Sequence, residues 1–482
     1  MNGTKISIAL AIAGIAGAQT PAPVAAAPVE DAAARADAKA AVAKAASAAA
    51  TADSAKKASA AEHEQVQAVE GKVDGLNESY LETKATVAAL SKFKVSGFLQ
   101  FQYALASDTN LSGGYSQKQG AWALRRARLK FAYDAGNGAQ LVWQPNFLES
   151  KFETKDAYIQ YTEQWLKAAS IRAGVQDIPF GFEIANSSSS MELIERSRFE
   201  NNSVFNGEKT LGVVAGFNSA DIPVNVKFGW LNGQTQQAVT GDWSATQAPK
   251  NFSGRLGFAT AMNDLGLSID GGASYFFDTK LLTDTAKGGS YKKMRNDSLV
   301  TVTGAFRKDM NTNVLGLDLQ ATYEIPMVGG FKLLGEYYQG KIAGAAGGLK
   351  LYTGAAFTSV DVREAQGYYV AGILNPIQIL PKLQLVYRYD YFDPNTQVKG
   401  NQIIKAKGLG ATDLAYTTNT LGANWFVNGN LKVSLFYDIV SNETTNDPKL
   451  NGGAGTAAYV AKNNLTKDID DNVLTVRAQV AF

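Results

Sequence analysis

The chain of 482 residues has no cysteine and only one histidine, His63. The lack of cysteine excludes disulfides, thiolate ligands and cysteine nucleophiles. Residues 93–482 also lack the histidine that Ser-His catalysis and His-based metal sites need. A formal net charge of +2 gives no overall attraction to nucleic acid. We therefore expect neither an enzyme nor a protein with a cofactor, a metal site or a nucleic-acid partner.

Long apolar runs are also lacking. Nothing after the N-terminus approaches the ~18 consecutive apolar residues of a membrane-spanning helix. At the N-terminus, Lys5 precedes a short apolar stretch over 6–15, and small residues follow at 16–18. This pattern predicts a secretory signal over residues 1–18. Three prolines in the next segment predict an extended linker over 19–31.

Alternation of apolar and polar residues dominates from Phe93 onward. In the segment 471–482, apolar side chains occupy every second position from Leu474 to Phe482. A strand that is apolar on one face and charged on the other suits the wall of an outer-membrane β-barrel. Similar runs predict strands at 93–103, 126–134, 138–146, 154–162, 169–177, 210–218, 223–231, 251–260, 265–277, 313–325, 331–340, 366–374, 382–392, 418–427, 430–441 and 471–482.

The connectors alternate between short turns and long polar loops, which is the expected asymmetry between the periplasmic and external ends of such a barrel. A further run at 298–308 would raise the count to seventeen, whereas single-chain bacterial barrels have even counts. We assign 298–308 to a β-structured loop and predict sixteen antiparallel strands. Eighteen strands, with 351–360 added, is the alternative. A barrel of sixteen strands leaves an aqueous channel.

Residues 32–90 contain no proline and are rich in Ala, Lys, Asp, Glu and Gln, a strongly helical composition. Apolar residues spaced alternately by three and four predict the seam of a coiled coil. We expect a parallel, trimeric coil in the periplasm, and a partly disordered Ala-rich spacer is the alternative. The seam residues are Val66, Val69, Val73, Leu76, Tyr80, Thr83, Val87 and Leu90.

The polar register of the strands carries many cations. Arg126, Arg128 and Lys130 would form a ladder on one lumen face, because two steps along a strand span about 6.5–7 Å. Rings of arginine or lysine filter anions in known pores. Carboxylates share these faces, so some arginines should form ion pairs, and unselective permeation stays open. The other cations in this register are Arg172, Lys227, Arg255, Arg388, Lys432 and Arg477.

The loop 178–209 is the candidate for a constriction. Its segment 191–200 has helical spacing of apolar residues, which is unexpected in an external loop unless it packs against the barrel wall. We expect it to fold inward, with Glu195, Arg196 and Arg198 at the narrowest point. A helix that caps the mouth of the barrel is the alternative.

Four stretches together resemble the phosphate-selective porin O and P family. The resemblance implies a trimeric outer-membrane barrel of sixteen strands, with loops folded inward and an arginine-rich lumen for anions. It also implies phosphate or polyphosphate as the solute of named members. The long Ala-rich helix is an addition that the family does not require. The stretches are Arg125 to Leu129, Arg172 to Val175 with Pro179 to Gly181, Glu195 to Ser197, and Leu474 to Phe482.

The residues and the resemblance together predict an outer-membrane porin for passive diffusion of small hydrophilic solutes, with a preference for anions such as phosphate. Membrane lipid, lipopolysaccharide and two further copies of the chain are the expected partners. One alternative is a structural envelope protein whose segment 32–90 contacts peptidoglycan and tethers the outer membrane to the cell wall. An unselective or saccharide porin is the other.

Overall fold

The computed structural model describes most of the chain from residue 32 onward. The signal predicted over 1–18 and the linker predicted over 19–31 lie outside the described residues. The described ranges are 32–106, 120–148, 152–202, 208–235, 250–279, 290–303, 310–345, 360–447, 450, 465–469 and 471–482.

Two α-helices and eighteen strands follow one another along these ranges. The helices are α1 (Ala32–Ser91) and α2 (Arg198–Asn202). The first nine strands are β1 (Phe93–Ala106), β2 (Ala121–Gly136), β3 (Ala139–Phe147), β4 (Phe152–Thr162), β5 (Ala169–Asp177), β6 (Lys209–Asn218), β7 (Val224–Thr235), β8 (Lys250–Met262) and β9 (Leu267–Thr279). The others are β10 (Ser290–Arg295), β11 (Ser298–Thr303), β12 (Asn311–Ile325), β13 (Gly329–Ala345), β14 (Val360–Asn375), β15 (Leu383–Asp393), β16 (Tyr416–Phe426), β17 (Leu431–Asn442) and β18 (Val473–Ala481).

Sixteen of these strands close into an antiparallel barrel, as the sequence predicts. Each wall strand pairs with the next one along the chain, and β9 pairs directly with β12. The ring closes between β1 and β18, where Gln100 lies opposite Gln479. The terminal strand is therefore the sixteenth strand of the wall.

Strands β10 and β11 form a hairpin that is not part of the barrel wall. They pair with each other, and β10 also pairs in parallel with the start of β14. The assignment of 298–308 to a β-structured loop is therefore confirmed for its described part, 298–303. The alternative strand at 351–360 lies outside the described residues except for Val360, which begins β14.

The two faces of the wall differ in the way that the alternation predicts. On β15, Leu385 and Tyr387 are 43% and 45% exposed, whereas Gln384, Arg388 and Asp390 are 7%, 5% and 2% exposed. Because directly opposite residues share a face, the same division continues around the ring. The wall therefore presents apolar side chains outward and polar or charged side chains to the lumen.

Short turns join the wall strands at one end of the barrel, such as 137–138, 263–266 and 427–430. At the other end, connectors are long, with 148–151 as the short exception. Two of these long connectors pack with the β10–β11 hairpin around their own apolar core. That core includes Leu299, Val398, Ile403, Leu409, Leu414, Leu450 and Leu465.

The helix α1 runs unbroken for 60 residues, through both of its glycines. Its predicted seam is exposed in the single chain, with Val66, Val73 and Leu76 at 52%, 56% and 70%. A helix with an exposed apolar row is the form that a coiled-coil strand takes before it meets its partners. In the described part of the chain, no helix is both long and apolar enough to span a membrane.

Candidate permeation site

The segment 178–208, which we call the inward loop, connects β5 with β6, and its described residues, 178–202 and Glu208, lie inside the barrel. At its start, Ser253 Oγ donates to the Pro179 carbonyl at 2.9 Å, and the Gly181 amide donates to Ser274 Oγ at 3.0 Å. Gly181 has a φ of +59°, and a Cβ there would lie 2.5 Å from Oε2 of Glu336 on the wall. Glycine therefore allows the loop to enter the lumen at this point.

Further along, the loop presents its backbone carbonyl oxygens to the wall. Inward side chains from five strands donate to these oxygens, which fixes the path of the loop across the lumen. The pairs are Gln100 to Ser188, Gln479 to Ser189, Lys432 to Met191, Asn424 to Glu192, Arg477 to Ile194 and Arg388 to Glu195.

The helix expected over 191–200 is wrong, because α2 covers only Arg198–Asn202. The carbonyl oxygens before it point at wall side chains instead of along a helix axis. Apolar residues at helical spacing still pack, since Leu193 and Ile194 join a buried cluster with the wall residues Leu334 and Phe436. The inference that the loop packs inside the barrel is correct, although its secondary structure is not the expected one.

Glu195 lies among three arginines. Arg125 contacts both carboxylate oxygens at 2.8 and 2.9 Å, Arg126 Nη2 lies 3.1 Å from Oε2, and Arg477 Nη2 donates to Oε1. Burial alone would raise the pKa of Glu195. The charges of Arg126, Arg125 and Arg477 outweigh burial and hold this pKa well below its usual range.

Arg125 reaches Glu195 because of a β-bulge. Gln100 pairs with Arg126 and Phe101 pairs with Leu124, so Arg125 is the extra residue of β2. A bulge lets two consecutive side chains project toward one face. Strict alternation places Arg125 only at the edge of the lumen row, so this contact was not predicted.

A second ion-pair cluster surrounds Glu208. Arg196 Nη1 donates to Glu208 Oε2, and Arg128 Nη2 lies 3.4 Å from Oε1. Arg196 also donates to the carbonyl oxygens of Glu183 and Asn186, each at 3.0 Å. Burial would raise the pKa of Glu208, but Arg196 and its cationic neighbours hold it below its usual range. Arg128 and Arg196 therefore hold the inward loop in place through these contacts.

Other predicted lumen cations also meet carboxylates or carbonyls. Arg255 pairs with Asp318 at 2.6 Å, and Arg388 lies 3.9 Å from Asp390 and 3.8 Å from Glu183. These contacts agree with the expectation of ion pairs across strands. Lys209, which the alternation of the sequence does not single out, lies between Asp156 and Asp177 at 2.8 and 2.6 Å.

A buried group of carboxyls supports the root of the loop. Glu183 accepts hydrogen bonds from the Ser197 amide and from Ser197 Oγ, the latter at 2.6 Å. Phe199 stacks on Tyr338 of the wall with ring centroids 4.3 Å apart. Burial raises the pKa of Glu183, and it raises that of Glu200 well above the usual range, because the cations nearby do not compensate it.

Among the described residues, a few lumen cations contact no carboxylate within ion-pair distance. Lys130 completes the predicted ladder with Arg126 and Arg128, but it alone of the three has no acidic partner. Arg172 donates only to the amide oxygen of Gln160, and the guanidinium of Arg198 lies over the Tyr416 ring at 4.3 Å. Two further members of this unpaired set are Lys227 and Lys432.

The model of one protein family, described as phosphate-selective porin O and P, matches residues 93–482. The chain belongs to this family. The match spans the whole barrel and begins two residues after α1 ends. The protein is thus an outer-membrane porin, whose barrel forms a channel for solute diffusion.

Two solved structures, the first two below, agree with the fold at low sequence identity. OprB of Pseudomonas putida aligns with a TM-score of 0.52 at 10% identity, covering 82% of this chain and 96% of that one. The outer membrane channel DcaP of Acinetobacter baumannii aligns with a TM-score of 0.50 at 13% identity, covering 81% and 97%. An anion-selective porin from Comamonas acidovorans aligns with a TM-score of 0.48 at 12% identity, covering 81% and 99%. No curated protein matches this chain.

Proposed function

We propose that the channel passes small hydrophilic solutes passively, with a preference for anions such as phosphate. The observation that carries this proposal is the pair Lys130 and Arg172. Both line one cavity between the inward loop and the wall, and neither contacts a carboxylate of the described residues. A fixed positive charge in the lumen attracts anions and repels cations.

The ionisation of the loop supports the same preference. Glu195 and Glu208 are ionised but lie among arginines, so their charges are balanced locally. Burial raises the pKa of Glu183 and of Glu200, so ionisation of these two carboxyls is less favourable than that of an exposed glutamate. The loop carboxyls therefore oppose anion passage less than their number suggests.

The cations that the sequence singles out fall into two groups with different roles. Arg126, Arg128, Arg196, Arg388 and Arg477 bind loop carboxylates or carbonyls and hold the constriction in place. Lys130 and Arg172 keep their charge available to solutes, and Arg198 offers a third unpaired charge on the loop. Rings of arginine and lysine act as filters only where that charge is not already neutralised.

The zero-current potential of the purified porin in a planar bilayer, under a KCl gradient, tests this function. We expect a potential of the sign that chloride permeation produces. A potential of the opposite sign would show a cation-preferring channel and a potential near zero an unselective one, and either result would overturn the anion preference.

The helix α1 favours a second function alongside the first. A helix of 60 residues is about 90 Å long at 1.5 Å per residue, and its apolar row is exposed. We infer a parallel trimeric coil in the periplasm that joins three barrels and contacts peptidoglycan. Deletion of residues 32–90 should leave conductance intact and cause outer-membrane blebbing. Cells with normal envelopes after this deletion would exclude the tether.

A further inference from the structure

A partly enclosed cavity of about 490 Å³ lies between the inward loop and the inner face of β1 to β6. Its loop side is the segment 184–189, and its wall side includes Lys130, Tyr158 and Arg172. The volume lies within the ~300–1,000 Å³ typical of small-molecule sites. A single tetrahedral oxyanion would leave much of this space unfilled.

The side chains that line the cavity carry more positive than negative charge. Five cationic and three acidic side chains line it, and all three acidic side chains are engaged in ion pairs. Glu208 is shared by Arg128 and Arg196, and Lys209 joins the other two. The charges of Lys130 and Arg172 therefore remain for a ligand.

Arg172 is held in place by neutral groups. Its Nε and Nη2 donate to Gln160 Oε1 at 3.0 and 2.8 Å, and its guanidinium lies over the Tyr158 ring at 4.2 Å. Neither partner cancels the charge, and no described residue accepts from Nη1. A fixed guanidinium with free donors is well suited to phosphate oxygens.

Two buried donors in the same cavity also lack partners. Arg128 Nε and Ser188 Oγ make no hydrogen bond within the described part of the chain, although Arg128 and Ser188 are only 6% and 4% exposed. A buried donor without a partner is destabilising, so such groups in a native fold call for an acceptor. The oxygen atoms of a bound solute would supply such acceptors here.

The opposite side of the cavity suits hydroxyl groups. Asn186 and the three serines 187–189 line it, and Gln144 faces them from β3. Serine hydroxyls and side-chain amides both donate and accept hydrogen bonds, as sugar hydroxyls do. The cavity thus combines a cationic part with a part rich in hydroxyl and amide groups.

We propose that this cavity is a binding site for a small phosphorylated polyol, such as a sugar phosphate, that pauses there during permeation. The phosphate contacts Lys130 and Arg172, and the hydroxyls contact the segment 186–189. This inference rests on the proposed anion preference and extends it to a substrate class.

Single-channel current in KCl tests the site with three probes: glucose 6-phosphate, glucose and inorganic phosphate. We expect glucose 6-phosphate to reduce the current saturably, with a half-blocking concentration at least tenfold below that of either other probe. Equal block by inorganic phosphate would overturn the polyol part of the proposal. Equal block by glucose would overturn the role of charge.

Variants locate the block. Lys130→Gln with Arg172→Gln should raise the half-blocking concentration of glucose 6-phosphate at least tenfold. Lys382→Gln removes an exposed cation at a short turn outside the cavity and should leave that concentration unchanged. Block that survives the double substitution, or that Lys382→Gln weakens equally, would refute the site.

These experiments distinguish a failure of the proposed binding site from a failure of the proposed anion preference. A wild-type channel that is anion-selective in a KCl gradient but is not blocked by glucose 6-phosphate contradicts the binding site alone. A cation-selective channel contradicts the proposed function itself. Each variant is first checked for the shift in gel mobility that folded barrels show on heating, so that a misfolded variant is not read as a loss of binding.

Discussion

Among single residues, Glu195 is the shared counter-charge of three arginines. Replacing it by glutamine leaves Arg125, Arg126 and Arg477 without their shared counter-charge. We expect the zero-current potential of Glu195→Gln to move further toward anion selectivity. The free energy of unfolding should fall by roughly 1–3 kcal/mol, because partly buried arginines lose their partner. Bilayer recording and heat-dependent gel mobility measure these two effects.

The control for this substitution is Glu324→Gln. Glu324 is exposed near the end of β12, beside a short turn, and no described cation pairs with it. Its loss should change neither the selectivity nor the stability. If Glu195→Gln also leaves the zero-current potential unchanged, the arginines around Glu195 are not part of the conducting path.

The raised pKa of Glu200 predicts that the stability of the inward loop depends on pH. Its pKa is raised by burial, so ionisation costs more in the folded loop than in the unfolded chain. Stability should be greatest below the unfolded pKa of about 4.3 and should fall as pH rises toward the raised pKa. Glu200→Gln removes this contribution. Current fluctuations recorded from pH 5 to 9 should increase in the wild type and increase less in the variant.

An identical rise of fluctuations in both proteins would show that Glu200 does not carry the effect. Glu183 has a raised pKa as well, so the current fluctuations of the Glu200→Gln variant should still increase somewhat with pH. Combining Glu183→Gln with Glu200→Gln should reduce this increase of the fluctuations with pH further.

At the scale of single residues, alternation along strands was enough to place Arg126, Arg128 and Lys130 on one inner row. Alternation could not show that Arg125 joins that row, because a bulge interrupts the pattern there. It also could not show which cations are neutralised. Glu208 and Glu195 reach them from a loop, and loop partners leave no periodic signal in the sequence.

Among the elements, deletion of the β10–β11 hairpin tests the count of sixteen wall strands. Asn311 pairs with Thr279, so the chain leaves and re-enters the wall at neighbouring positions. Replacing 281–308 by a short Gly-Ser linker should therefore preserve a folded barrel whose gel mobility shifts on heating. A matched deletion of 311–338 removes wall strands and should abolish folding. Loss of the mobility shift in the hairpin deletion would show that the hairpin belongs to the wall.

The wall strands were predictable because lipid and water impose opposite demands on successive residues. Turn chemistry then set the direction of each strand, and an even count excluded 298–308 from the wall. The helix expected over 191–200 was wrong for a definite reason. Its apolar spacing was real, but wall side chains such as Asn424 and Arg477 draw its carbonyl oxygens away from a helical path.

For the whole molecule, the seam of α1 predicts contact between copies of the chain. The protein has no native cysteine, so a single introduced cysteine reports its own neighbours. Val73→Cys lies on the seam and should form disulfides between chains in oxidised membranes. Glu64→Cys occupies the heptad position farthest from the seam and should form few. Equal cross-linking at both positions would contradict the coil.

The central claim for the whole molecule is that Lys130 and Arg172 set the selectivity, while the ion-paired arginines hold the loop. The most direct test compares the zero-current potential of the wild type with that of Lys130→Gln/Arg172→Gln under one KCl gradient. We predict an anion-selective wild type and a double variant whose potential moves clearly toward zero. An unchanged potential in the double variant, or a cation-selective wild type, would contradict the claim.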